Sequence, residues 1–327
     1  MLLKSGSEYP TISILICSRD RRSDLEKIVH DLKLMDTNHK FDVIVVEETN
    51  DSLPIKGVLY MSHPVKNFGF PYARNLSIAQ ATGEIMVFVD DDCQVKEGWL
   101  DKLLRPFKDK SVVGVQGGVV VPDGTNAVGW TESILGFPGG GFKRIIESGG
   151  TVQDTIEIST LNSAYRRWVV EAVGGFNSRL KWGGEDYLLA KKACRYGKCL
   201  FVPDALVAHR ARGDLSSIFN WFIRRGRAEI GVVRSREYAG ANWGSIFRNS
   251  LMLKLFAVSM LFPLFPAPVV YVLFTFFFFY LFVQYFRYLS AWKKSKAPFE
   301  SLLIIPFVKL TMDFAADVGH LKEIFRG

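Results

Sequence analysis

The sequence predicts an α/β protein: a mostly parallel sheet flanked by helices, joined to amphipathic interfacial helices and a transmembrane helical hairpin. Three observations carry that expectation. β-Branched runs alternate with helical patterns through the first two thirds of the 327 residues. The carboxyl ends of those runs bear clustered charges. Between Leu251 and Phe286, Lys254 is the single charged residue, and the run Phe276-Phe277-Phe278-Phe279 lies inside that stretch. With 48% apolar, 13% aromatic and 23% charged residues the chain is neither disordered nor collagen-like, and its length allows a sizeable core.

Taken in order, Thr11 to Cys17 and Phe41 to Val46 are short β-branched runs. Leu25, Ile28, Val29 and Leu32 between them recur at helical spacing, which gives β-α-β. A third run, Ile85 to Val89, follows a helix ending at Gly83. A fourth, Val112 to Val121, follows a helix from Trp99 to Phe107. Buried strands alternating with helices form a mostly parallel sheet, whose ligand crevice lies beyond the carboxyl ends of the strands. Three such ends are chemically loaded: Ser18-Arg19-Asp20, Glu47-Glu48 and Asp90-Asp91-Asp92. Gly136 to Gly150 reads as a glycine-rich loop over the site. Glu185-Asp186, after Trp182-Gly183-Gly184, open a helix that closes at Gly197; acids in a first turn also suit the helix dipole.

From Asp214 onward, Leu215, Ile218, Phe219, Phe222, Ile223, Ile230 and Val233 form an apolar stripe with arginines opposite, the pattern of a helix in a membrane interface. The hairpin is expected to enter over Asn249 to Phe265 and return over Val269 to Phe286, turning at Pro263, Pro266 and Pro268. Arg248, Arg287, Lys293, Lys294 and Lys296 flank its open ends, so both ends belong in the cytoplasm by the positive-inside rule. A core hairpin of a soluble protein is the other reading. A second interfacial helix is expected from Pro306, with Phe307, Leu310, Phe314, Val318, Leu321 and Phe325 on one face. The expected organisation is a catalytic domain over 1–212, an interfacial helix region over 213–247, the hairpin over 248–290 and a C-terminal amphipathic region over 291–327. No secretory signal is expected, since Ile12 to Ile16 is too short and reads as a strand.

Cys17, Cys93, Cys194 and Cys199 lack metal-site spacing and are expected as reduced thiols. The net charge of +8 is concentrated at Arg224, Arg225, Arg227, Arg234 and Arg236, beside the hairpin. Membrane lipids or a phosphorylated substrate are the expected partners, not nucleic acid.

Alternation along the strand lets Asp90 and Asp92 face one ligand together. Carboxylates this close repel unless a cation lies among them, and a hard divalent ion, Mg²⁺ or Mn²⁺, would resolve the repulsion and hold a diphosphate. A solvated acidic turn is the plainer reading. There is no G-x-x-x-x-G-K-[ST], G-x-G-x-x-G or H-E-x-x-H. A metal-held diphosphate without a P-loop points to nucleotide-sugar or nucleotidyl chemistry.

The stretch Asn67-Phe68-Gly69, Ala73-Arg74-Asn75, Gly83-Glu84 and Val89-Asp90-Asp91-Asp92 resembles the family 2 glycosyltransferases, which include membrane-bound relatives of cellulose synthase. So do Gly174-Gly175-Phe176-Asn177, Glu185-Asp186, Pro203-Asp204-Ala205 and His209, and the resemblance covers about Ile12 to Arg236. It implies the GT-A (nucleotide-diphospho-sugar transferase) fold, with Ser18, Arg19, Glu47, Asn67, Arg74, Asp90 and Asp91 binding the nucleotide and Glu47 meeting the base. It implies Asp90, Asp92 and His209 at the metal, and Asp186, with Glu185 beside it, as catalytic base. Relatives of cellulose synthase carry Gln-x-x-Arg-Trp where this chain reads Trp221-Phe222-Ile223-Arg224-Arg225. Arg224 and Arg225 keep a cationic role toward the leaving diphosphate, while the missing Gln and Trp argue against processive synthesis.

The expected function is transfer of one sugar, with inversion, from a nucleoside-diphosphate sugar to a polyprenyl or dolichyl lipid-linked acceptor at the cytoplasmic membrane face. Likeness to compact archaeal-type enzymes of N-glycan assembly implies GDP-mannose as donor. A nucleotidyltransferase or phosphohydrolase with the same acidic metal site, or a non-catalytic membrane scaffold, are the rival readings.

Overall fold

The computed structural model describes residues 10–66, 68–259 and 269–326. The first strand, β1 (Ile12–Arg19), is followed by α1 (Arg22–Leu34), β2 (Phe41–Glu48), β3 (Leu59–His63), α2 (Phe70–Gln80), β4 (Ile85–Val89), β5 (Cys93–Val95) and α3 (Trp99–Leu104). Then come β6 (Val112–Val120), α4 (Ala127–Ile134), α5 (Gly141–Glu147), β7 (Gln153–Asp154), β8 (Asn162–Arg166), α6 (Arg167–Ala172), α7 (Glu185–Ala193) and β9 (Lys198–His209). Helices complete the chain: α8 (Leu215–Ser235), α9 (Trp243–Asn249), α10 (Leu251–Ser259), α11 (Val269–Lys294) and α12 (Phe299–Ile324).

Contacts divide the chain into two units. The first comprises the described residues up to Val119 with Gly150–Lys181 and Glu185–His209; the second comprises Val120–Gly149, Trp182–Gly184 and the described residues from Arg210 onward. The segment 120–149, which the sequence places in the catalytic domain, therefore groups with the C-terminal helices.

In the first unit the sheet order is β3-β2-β1-β4-β8-β6-β9-β5, with β7 on β9. β3, β2, β1 and β4 pair in parallel, and the β1–β2 register sets Ser18 beside Glu47 and Arg19 beside Glu48. One face buries Ile14, Ile16, Leu25, Val87, Trp99 and Leu103, the other Leu15, Ile44, Met86, Phe88, Tyr165 and Leu189. Burial on both faces is what a run such as IMVFV in β4 requires. The sheet is less parallel than its four apolar runs imply, because β8 (NSAYR) runs antiparallel between β4 and β6. β8 lacks a β-branched signature, yet its Asn162 is buried and fully used: it accepts from Trp99 Nε1 at 2.8 Å and donates to Gly118 O and Ala205 O. Cys194 and Cys199, expected as thiols, form a disulfide that ties the end of α7 to the start of β9. The helix ends also shift from expectation at α2, which stops at Gln80, and at α7, which stops at Ala193, whereas α3 continues as a 3-10 turn over Arg105–Lys108.

In the second unit Asp214 caps α8, its Oδ1 accepting from Ser217 N at 2.8 Å. The apolar stripe of α8, expected to meet lipid, instead joins a core: Ile218 and Phe222 pack with Ile305, Val308, Met312 and Ala315 of α12 and with Ile134 and Leu135. A Cβ at Gly226 would collide with Ala316 O, and one at Gly319 with Ile223 O, so these glycines set how closely α8 and α12 approach. α12 starts at Phe299, seven residues ahead of the expected Pro306, which lies buried inside the helix. Pro306 donates no hydrogen bond, and packing on α8 and α11 outweighs that loss. The stretch 136–150, expected as a loop, contains α5.

The expected membrane-spanning hairpin is not present among the described residues, where no helix is long and apolar enough to cross a membrane. α10 is described as far as Ser259, and the rest of the expected entering arm, 260–265, lies outside the described residues. The turn of that hairpin, with Pro263, Pro266 and Pro268, lies outside the described residues. α11 and α12 nonetheless expose large apolar side chains, among them Phe274, Phe278, Phe282 and Phe286, and Phe299, Phe307 and Phe314.

Candidate active site

β4 ends at Val89, and the next three residues lie in the turn that follows it. Asp91 is 2% exposed, while Asp90 and Asp92 are half-buried. β9 ends at His209, whose neighbour across the β5–β9 pairing is Cys93, so the imidazole arrives beside the aspartates. His209 Nε2 lies 3.2 Å from Asp92 Oδ1. Asp90, Asp92 and His209 each offer a ligand atom, and all three lie within 4.8 Å of one another. Two carboxylates and an imidazole nitrogen in this arrangement fit a divalent cation.

The surrounding charges keep the three aspartates distinct. Burial pushes Asp91 up to about 7, against the lowering influence of Arg21 at 3.2 Å and of Ser18 Oγ, which donates at 2.7 Å. Burial also raises Asp90 despite Arg74. For Asp92 burial is outweighed by the His209 hydrogen bond and charge and by Arg21, and the carboxyl is held down at about 2. His209 and Arg21 thus favour the ionised form of Asp92, the form a metal ligand takes. Ser18 and Asp91, both expected at the nucleotide, are hydrogen-bonded to each other at the end of β1 and the turn after β4.

Arg74, on α2, spans the site. Its guanidinium is buried, ion-paired to Glu185 at the start of α7 and 3.7 Å from Asp90 Oδ1. The two acidic groups separated by almost a hundred positions in sequence are therefore brought to one cation. Glu185 is 4% exposed and paired, whereas its neighbour Asp186 is half-buried, with Oδ1 accepting from Tyr187 N at 2.8 Å. Of the two, Asp186 has the exposure a proton acceptor needs.

At the end of β2, Glu47 is 2% exposed and its Oε2 accepts from both Arg22 Nη1 at 2.9 Å and Tyr60 Oη at 2.6 Å. Glu48 Oε1 accepts from Lys66 N at 3.1 Å, and Glu48 Oε2 lies 3.6 Å from Arg19. Asn67 lies outside the described residues. Arg224 and Arg225 belong to the second unit: Arg224 Nε donates to Trp182 O at 3.1 Å, while Arg225 pairs with Glu229 at 3.1 Å and lies over the Phe137 ring. Sequence reasoning missed Arg21, Arg22 and Tyr60. The two arginines directly follow the charged end of β1, which is the signal that would have found them; Tyr60 has none, since no residue of β3 is buried.

A sheet with this order, ending in an acidic pair and a histidine, is the GT-A form of the α/β class, and residues 13–172 are a family 2 glycosyltransferase domain, matching the family described as Glycosyl transferase family 2. Among curated relatives the chain is similar to a probable N-acetylgalactosaminyltransferase 7 of Caenorhabditis elegans, 25% identical over 69% of this chain and 43% of that protein. It is also similar to the glycosyltransferase AglE of Haloferax volcanii, 26% identical over 69% of this chain and 75% of that protein. The chain thus spans less than half the length of the first of these. Among solved structures, the mannosyltransferase PcManGT of Pyrobaculum calidifontis, in complex with GDP-Man and Mn²⁺, has the same fold. Its TM-score is 0.62 at 16% identity, over 96% of this chain and 88% of that one.

Proposed function

We propose that the protein is a metal-dependent, inverting glycosyltransferase that moves one mannose from GDP-mannose to a polyprenyl or dolichyl lipid-linked acceptor at the cytoplasmic face of a membrane. The observation that carries this reading is the Arg74 bridge, which joins the acidic end of β4 to the start of α7 and so puts a cation site and a candidate base in one place. A nucleotidyltransferase or phosphohydrolase needs the first of these but gives no reason for the second.

Asp90, Asp92 and His209 would hold the ion, Mg²⁺ or Mn²⁺, which when bound supplies a counter-charge to the donor's diphosphate. Asp186 takes the proton from the acceptor hydroxyl as that oxygen attacks the anomeric carbon, and the bond to the diphosphate breaks on the opposite side. Single displacement inverts the centre. Arg74 holds Glu185 and thereby the first turn of α7, on which Asp186 stands. Glu47, fixed by Arg22 and Tyr60, is the group offered to the base. GDP-mannose as donor is supported by the solved mannosyltransferase of the same fold, and membrane association by the exposed phenylalanines of α11 and α12 with Lys293, Lys294 and Lys296 beside them.

The test is a donor screen with the full chain and a lipid extract, following nucleoside diphosphate release and product mass. GDP release from GDP-mannose with a mannosylated lipid is the expected outcome. Release of pyrophosphate or inorganic phosphate with no sugar transferred would overturn the proposal.

A further inference from the structure

The turn from β1 into α1 is unusual in its backbone. Asp20 has φ of 53°, in the left-handed region that a non-glycine residue seldom adopts, and Arg21 follows as the residue before α1. This turn sends the Arg21 side chain back toward the end of β4. There one nitrogen, Nη1, is ion-paired to Asp92 Oδ2 and lies 3.2 Å from Asp91 Oδ1, while the other oxygen of Asp92 faces His209. The guanidinium therefore draws on a carboxylate of the Asp90, Asp92 and His209 set.

We propose that Arg21 is a built-in counter-cation that competes with the divalent ion for Asp92 and is released to the donor's diphosphate, so that ion and nucleotide bind cooperatively. The inference rests on the metal-dependent reading above. A guanidinium and a divalent ion on one carboxylate repel each other, so the ion alone binds against that repulsion. A nucleoside diphosphate brings new anionic oxygens, which suit the planar guanidinium fork, and once Arg21 turns to them the repulsion becomes attraction within one complex. By linkage, the nucleotide then raises affinity for the ion as much as the ion raises affinity for the nucleotide. Arg21 is 36% exposed on its side chain, so it has room to turn.

The experiment titrates the full chain with Mn²⁺, following the paramagnetic resonance signal of unbound Mn²⁺, for the native protein and for Arg21→Gln and Arg21→Lys. Each is measured alone, with GDP and with UDP. With a charge-assisted hydrogen bond removed, Arg21→Gln is expected to bind Mn²⁺ alone about tenfold more tightly than the native protein. It should also gain less from whichever nucleotide strengthens Mn²⁺ binding in the native protein, and Arg21→Lys should behave more like the native protein. Equal Mn²⁺ affinity of Arg21→Gln and native protein without nucleotide would overturn the role of Arg21 and leave the metal site standing. An equal gain from nucleotide in both would overturn the cooperative part. Absence of Mn²⁺ binding in all three proteins, with either nucleotide, would overturn the metal-dependent reading itself.

Discussion

Arg74 and Glu185 are ion-paired across 111 positions of sequence, and both are almost wholly buried. Removing the arginine leaves a buried carboxylate without its counter-charge, and such losses cost about 3–5 kcal/mol. Arg74→Met is therefore expected to lower unfolding stability by about that amount in urea denaturation. Arg74→Met with Glu185→Gln should recover part of it, since no isolated charge remains. Equal stability of the single and double variants would show that the pair is not the source.

The two neighbours at the start of α7 should separate by phenotype. Asp186→Asn is expected to reduce turnover by roughly 10²- to 10⁴-fold with donor affinity little changed, as loss of a general base does. Glu185→Gln should reduce stability as well, because it weakens the bond to Arg74. Initial rates beside thermal melts distinguish the two, and near-native turnover in Asp186→Asn would remove it from the mechanism.

In the second unit, His320 Nε2 lies 2.9 Å from Glu229 and Nδ1 3.4 Å from Asp317; Arg225 pairs with the same Glu229, and Asp317 also accepts from Met252 N. Burial alone would lower the imidazole pKa, but the two acceptors outweigh it and raise the group from 6.5 to about 9. A group raised on folding stabilises most below its unfolded pKa, and that contribution fades as pH rises through the folded one. The melting temperature is expected to fall between about pH 6.5 and 9, by at least roughly 2 °C from this source, with the slope flattened in His320→Gln.

Gly319→Ala sets two effects against each other. Helix propensity favours alanine by about 1 kcal/mol, whereas overpacking costs about 1–3 kcal/mol. The obstacle is the backbone carbonyl of Ile223, which cannot rotate aside as a side chain would. Destabilisation should win, and Gly226→Ala should behave alike. A raised melting temperature in either would refute the close approach of α8 and α12.

What the sequence made legible follows a physical division. Asp90 and Asp92 could be paired by strand alternation, and the early strands by their β-branched runs, because both are local patterns. The gathering of His209 with them came from likeness to a family, not from spacing. Tyr60 on Glu47 and Arg212 on the fully buried Glu132 depend on how distant segments meet, and nothing local marks them; Arg21 on Asp92 has a local mark, its place just after the charged end of β1, but its partner is set by the fold. β8 escaped notice because it lacks a β-branched run and its Asn162 and Arg166 are satisfied by distant carbonyls. The α8 stripe was seen correctly as a stripe but assigned the wrong partner: amphipathicity says that a face will be covered, not whether lipid or another helix covers it.

The boundaries of the two units fall at 119/120, 149/150, 181/182, 184/185 and 209/210, so the polypeptide changes unit five times. Neither unit is a contiguous stretch that a single cut could release. Shortening the gene after residue 212, the boundary that the sequence proposes, would strand α4 and α5. Ile134 and Leu135 of that region would lose Phe222, Tyr288 and Met312, the residues that shield them. Anyone seeking a smaller version for crystallisation should expect inclusion bodies from that truncation, and would do better to keep the helices and change their outward phenylalanines.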